Sequence, residues 1–198
     1  MSTSNINFTF NIYWMIGIAV LVVFYIVYAG LIKKRNNVKE TLSGIDVQLT
    51  KRRDLIPNVL RIAQKYIEHE RGVMEEITKL RASMNGNLRN MSADEIKNRF
   101  ANENALQAKM TGLFGRFENY PDLKASAPMQ DAIAAYRDVE DNISAARRFY
   151  NSSVTILNNS CETFPISLIA ALVGIKSYPF YEATEEQRKP VNADDFLK

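Results

Sequence analysis

Residues 12–32 read IYWMIGIAVLVVFYIVYAGLI, and none of them is charged. A helix of that length, at about 1.5 Å per residue, crosses a hydrocarbon layer about 30 Å thick. Tyr13 and Trp14 fall where one interface would lie, and Tyr28 falls near the other. A buried core helix rarely runs this far without a polar face. A cleaved signal peptide fits no better. No basic residue precedes the run, the run is longer than a signal's apolar core, and YAGLIKK is a poor small-x-small cleavage site. The segment is therefore expected to be a retained transmembrane helix. Lys33, Lys34, Arg35 and Lys39 follow it directly, whereas no Asp, Glu, Lys or Arg precedes it. The positive-inside rule then puts residues 1–11 outside and the rest of the chain in the cytoplasm.

The remaining composition removes several function classes. The 25 basic and 22 acidic residues give a net charge of +3 and are interleaved, so no nucleic-acid footprint is indicated. A single cysteine, Cys161, allows no intramolecular disulfide and suits a reducing compartment. With one histidine besides, His69, a zinc site within one chain is not expected. No glycine-rich phosphate loop or H-E-x-x-H motif occurs. His69 lies between Glu68 and Glu70, but consecutive helical residues point to different sides, so no orienting pair is implied. No cofactor, no metal and no catalytic residue is assigned.

Beyond the apolar run the spacing is helical. Val38, Leu42, Ile45, Leu49, Ile56, Val59, Ala63, Tyr66, Val73, Ile77, Leu80 and Met84 recur at three and four, which predicts one long amphipathic helix. Pro57 lies inside it and should kink it near Arg53, whose carbonyl loses its donor. Asn85-Gly86-Asn87 is a turn, and Ser92 with Glu95 is a capping box opening a second helix. That helix carries Ile96, Phe100, Asn104, Ala108, Thr111, Phe114 and Phe117 on one side. A third runs from Met129 through Ile133, Tyr136, Glu140, Ile143, Arg147, Tyr150, Val154, Leu157 and Cys161 to Phe164, with Pro165 as its stop. ISLIAALVGI (166–175) is too short to span a membrane; it reads as a short closing helix or an interfacial segment. The fold class is all-α: an N-terminal transmembrane helix, then an antiparallel bundle of three long helices plus a short C-terminal helix. The bundle is placed at 33–181 and a polar tail, in which Phe196 is free to dock, at 182–198.

Charges interrupt the seams: Arg52 and Glu70 on one helix, Glu140 and Arg147 on another. An unpaired buried charge costs several kcal/mol, so these should be paired, Arg52 with Glu140 or Glu70 with Arg147. The pairs read either as a register-setting network inside the bundle or as an intersubunit contact or small cleft. Beside them Arg148, Asn151, Thr155, Asn158 and Glu162 share one helix face.

Four stretches in this order, RRDLIPNVL (52–60), ENYPDLKA (118–125), ARRFYNSSVTILNNSCETFP (146–165) and PFYEA (179–183), resemble the motifs of the bacterial LemA family. The matching positions are Arg52, Arg53, Asp54, Leu55, Ile56, Pro57 and Asn58, then Arg147, Arg148, Tyr150 and Asn151. Cys161 stands where an apolar residue would serve equally, which argues against shared thiol chemistry. The resemblance implies a single-pass inner-membrane protein with a helical soluble part and no catalytic residues to carry over. It also implies a role in membrane organisation, or a membrane zinc metalloprotease as a quality-control partner. With the residues, it suggests that the Arg and Asn face of 147–158 locks onto the kinked helix at the Arg53 carbonyl. The function expected is a membrane-anchored, non-catalytic scaffold or adaptor that self-associates, its partners being membrane lipid, its own copies and other membrane proteins. Membrane remodelling through 166–175, and an enzyme or small-molecule sensor built on the polar interior, are the alternatives.

Overall fold

The computed structural model describes residues 3–67, 69–84 and 86–182, with side chains from Ile12 onward. The expected tail therefore lies, from residue 183 on, outside the described residues, and so does Phe196. Every regular element among the described residues is helical. Helix α1 spans Thr3–Ala63, α2 Arg71–Ala82, α3 Ala93–Arg116, α4 Pro121–Ala125, α5 Ala127–Glu162 and α6 Ile166–Leu172. The chain divides into two compact units: Met1–Glu40 with Ser152–Tyr178, and Thr41–Asn151 with Pro179–Lys198.

In the first unit the apolar run of α1 is uncovered. Leu21, Val22, Val23 and Phe24 are 68%, 51%, 60% and 40% exposed. Four consecutive residues sample the whole circumference of a helix, so no face of it is packed. This segment is long and apolar enough to cross a membrane. At the C-terminal end of the run and beyond it the unit acquires a core, from Leu31, Val38, Val154, Leu157, Ala170 and Ile175, all buried. Lys34 donates to the Ser160 hydroxyl at 2.6 Å.

The second unit is a bundle. Arg52 of α1 meets Glu140 of α5, and Leu55–Lys65 faces Pro128–Ala135, so these helices run antiparallel. Helix α3 is antiparallel to α5, with Phe100 against Tyr150 and Phe114 against Tyr136. Helix α2 is antiparallel to α3, pairing Glu76 with Lys109 and Glu70 with Arg116. Ile56, Val59, Ile77, Leu106, Met110, Leu113 and Tyr136 share one core. The capping box opens α3: Glu95 N–H donates to Ser92 Oγ, and Ser92 N–H to the Glu95 carboxylate. Gly86, at φ +93°, makes the turn before it; a side chain there would be strained and would crowd Met91.

Several sequence expectations change. The first soluble helix does not run to Met84: it stops at Ala63, and α2 returns as a separate helix. Nothing between Gln64 and Arg71 is a helix breaker, so the break reflects packing. Arg81 donates to the Arg53 carbonyl at 2.7 Å. One unbroken helix would hold residues 28 apart about 42 Å away from each other. Ile67 is buried at the break, while Tyr66, placed on the seam from spacing, is 45% exposed. The α3 stripe also shifts. Ala108 and Thr111 are exposed, and Glu103, Leu106, Met110 and Leu113 are buried instead. Steps of four advance the stripe faster than 3.6 residues per turn allows. Phe164, the last seam position read for the third helix, lies beyond α5 and is 75% exposed.

Candidate functional site

Arg52 lies three residues after Leu49 and four before Ile56, and both neighbours are buried. The helix therefore carries its guanidinium inward, where its exposure is 0%. One terminal nitrogen donates to Glu140 Oε1 at 3.0 Å. The other donates to Glu103 Oε2 at 2.5 Å and to the Glu103 carbonyl at 2.9 Å. Glu103 is itself fully buried. Its second oxygen accepts from Arg53 at 2.5 Å and from Arg99 at 3.1 Å. One carboxylate thus receives three guanidinium groups, two from α1 and one a turn earlier on α3. Charge-assisted bonds of this kind are the strong ones, and the pairing is what makes burial of these ions tolerable.

The electrostatics agree with that geometry. Burial alone would pull the Arg52 pKa down; Glu140 and Glu103 more than reverse it, so the group is held charged. Burial, with Arg53 nearby, lowers Arg99. Burial raises the Tyr136 phenol well above its usual range; Arg52 opposes this and Glu140 reinforces it.

An aromatic layer borders the ions. Tyr181 stacks on Phe100, with centroids 4.1 Å apart and planes 11° from parallel. Tyr150 meets Phe100 edge-on at 5.5 Å. Arg147 covers the Tyr181 ring at 4.2 Å, a cation–π contact. Tyr181 belongs to a segment without regular structure that α5 holds by its backbone. Asn151 donates to the Tyr181 carbonyl at 3.0 Å and accepts from the Tyr181 N–H at 2.9 Å. Tyr150 donates to the Pro179 carbonyl at 2.8 Å, and Asn104 of α3 to the Glu182 carbonyl at 3.0 Å. A primary amide presents a donor and an acceptor side by side, so it pairs with a peptide as another backbone would. In the first unit Asn158 repeats the device on Tyr178, giving and receiving at 3.0 Å.

The structure thus gathers Arg52, Arg53, Glu140, Arg147, Tyr150 and Asn151 in the second unit, and places Asn158 in the first. It does not gather the others. Asp54 is 70% exposed, with only a 3.9 Å approach from Arg81. Pro57, Asn58 and Arg148 are exposed, Asn58 accepting from Arg61 at 2.8 Å. Glu70 pairs with Arg116 and not with Arg147, because α2 folds back along α3. The Arg53 carbonyl is capped by Arg81, so the Asn and Arg face of α5 does not serve it. That face holds the 178–181 segment, which spacing alone could not place.

Spacing also missed Arg99, Glu103, Asn104's partner, Arg81 and Tyr181. Glu103 carried a signal: it lies seven residues after Ile96 and three after Phe100, both buried. Cys161, read as a seam residue, is only partly buried, and burial pushes its thiol up. Among the described residues no cluster of His, Cys, Asp and Glu is arranged to hold a metal. The second unit also has a groove of about 600 Å³ between α1 and α5, lined by Leu55, Asn58, Ile62, Lys65, Pro128 and Asp131.

A sequence profile of the LemA family matches residues 41–194. That range contains the buried ion network and Asn104, Tyr150, Asn151 and Asn158, whose side chains bond the backbone of residues 178–182. Protein LemA of Metamycoplasma hominis is 25% identical over 194 residues, covering 96% of this chain and 84% of that protein.

Proposed function

The chain belongs to the LemA family, and from that premise we propose that it is a membrane-anchored, non-catalytic scaffold or adaptor, self-associating at the cytoplasmic face of a bacterial inner membrane. The observation that carries this reading is the uncovered apolar run of α1. Residues exposed on opposite sides of a helix, such as Leu21 at 68% and Val23 at 60%, are stable only in lipid or against other chains. Lys33, Lys34, Arg35 and Lys39 at one end favour the orientation with the bundle in the cytoplasm. The interior favours a structural role. Both oxygens of Glu103 are occupied by arginines that join α1 to α3, and Arg52 extends the joint to α5.

The test is gentle extraction of the full chain from native membranes, followed by particle mass and identification of co-purifying chains. A particle built of many copies supports self-association. A stoichiometric foreign membrane protein supports an adaptor, and a protease there would be the quality-control partner that family resemblance implies. A lone monomer, with no partner under the mildest extraction, overturns the reading.

A further inference from the structure

The first unit presents a second apolar surface, on α6. Leu168 and Leu172, four residues apart on that helix, are 58% and 79% exposed; Phe164, four residues earlier, is 75% exposed. The opposite side is packed, with Ala170 at 2% and the following Ile175 at 6%. Leu168 and Leu172 are therefore turned outward on one face of α6, opposite Ala170, and Phe164, in the turn that precedes the helix, is exposed as well.

The level of this surface follows from one hydrogen bond. Lys34 Nζ meets Ser160 Oγ at 2.6 Å, and Ser153 and Ile156 line a groove with residues 29–40, so α5 runs down α1 towards its apolar run. α5 ends at Glu162, two residues and about 3 Å beyond Ser160, which brings the turn before α6 to the level of about Ile32, the end of the uncharged run. α6 starts from this level, at Ile166. It is too short to cross a bilayer, at about 10 Å for its 7 residues. Cations follow that level: Lys33, Lys34, Arg35 and Lys39 come within about 11 Å of Ile32 along α1, and Lys176 comes four residues after α6. Lys33, Lys34, Asn36, Asn37 and Ser153 border a groove of about 800 Å³ there, supplying donors suited to phosphate oxygens.

We propose that α6 is a second membrane contact. It lies in the interface of the leaflet beside Lys33–Lys39, with Phe164, Leu168 and Leu172 among the acyl-chain ends and the lysines on anionic headgroups. The inference rests on the reading of α1 as a transmembrane helix. It commits to lipid because the surface is continuous with the lipid-facing run of the same unit and is bordered by positive charge.

The test uses the full-length chain, with Cys161→Ser, reconstituted in phosphatidylcholine–phosphatidylglycerol vesicles. A polarity-sensitive thiol label is placed singly through Leu168→Cys, Leu172→Cys, Val22→Cys and Lys97→Cys. Each sample is challenged with lipid-borne quenchers at graded depth and with aqueous iodide; circular dichroism confirms that each variant is folded. The labels at 168 and 172 should be quenched from a depth of about 5–10 Å and protected from iodide. The label at 22 should be quenched more deeply, and the label at 97 only by iodide. If 22 is quenched by lipid while 168 and 172 respond to iodide as 97 does, the α6 inference falls and the anchor stands. If 168 and 172 are shielded from both quenchers, the surface is covered by protein, such as a second copy, and the inference is again overturned. If 22 itself escapes the lipid quenchers, the transmembrane reading fails first. Sites 168 and 172 should also lose their quenching in part when phosphatidylglycerol is left out.

Discussion

Replacing Glu103 by glutamine keeps the side chain's shape and one acceptor oxygen but removes its charge. The native carboxylate has 0% exposure and lies 2.5 Å from Arg52, 2.5 Å from Arg53 and 3.1 Å from Arg99. In the variant Arg52 keeps Glu140 at 3.0 Å, but Arg53 and Arg99 lose the negative charge between them. Burial already lowers the Arg99 pKa, and the nearby Arg53 lowers it further. The glutamine amide also points a donor at groups that are themselves donors. Removing one partner from a buried ion pair costs about 3–5 kcal/mol. Against a domain stability of about 5–15 kcal/mol this is a large share. At about 2–4 °C per kcal/mol for a chain of this size, the melting temperature should fall by roughly 6–20 °C. The assay is thermal denaturation of the full chain in mild detergent, followed by far-UV circular dichroism. Glu76→Gln is the control, because Glu76 also meets a cation, Lys109, but both are well exposed; its melting temperature should stay put, since exposed pairs contribute little. A Glu103→Gln chain that melts within about 2 °C of the parent would refute the reasoning, because the arginines would then not depend on this carboxylate.

Other perturbations test separate parts of the structure. Arg81→Ala should cost about 1–3 kcal/mol in chemical denaturation by orphaning the Arg53 carbonyl, and less in a Pro57→Ala background, whose new N–H reaches that carbonyl; equal costs in both backgrounds would contradict the assignment. Asn151→Leu removes both bonds to the Tyr181 backbone, so hydrogen exchange at the Tyr181 amide should accelerate by roughly 5–150-fold while the α3 amides keep their protection; unchanged exchange at Tyr181 would show that Asn151 does not hold the segment. The Asp46 carboxyl has its pKa raised chiefly by burial, so its stabilising contribution is complete below the unfolded value near 4 and is lost as pH rises through the higher folded value. Asp46→Asn should therefore melt higher than the parent at neutral pH, with the gap closing in acid; a gap that instead widened in acid would reverse the sign. Cys161, its thiol pushed up by burial, should alkylate more slowly in the folded chain than after denaturation; equal rates would contradict its placement.

Much of the helical organisation was legible locally. The Ser92 capping box, the turn at Gly86 and the stop at Pro165 are written in a few adjacent residues; α3 begins directly after Ser92, while α2 ends four residues before Gly86 and α5 three before Pro165. Arg52 could be read as inward because Leu49 and Ile56 flank it at helical spacing. Glu103 was harder, since a small error in period moves a whole stripe, and that error put Ala108 and Thr111 on the face that Leu106 and Met110 occupy.

The sequence by itself determined the apolar run, because twenty-one uncharged residues in a row need no partner segment to be recognised. It determined the all-helical class for the same reason: capping, periodicity and stop signals act within a turn or two. Only the tertiary structure decided that the first soluble helix breaks after Ala63, because the break brings Arg81 to a carbonyl 28 residues away. Only it decided that three arginines converge on Glu103, and that Asn151 and Asn158 grip backbone 30 and 20 residues further on. Those contacts join groups distant in the chain, and their geometry exists only once the helices have packed.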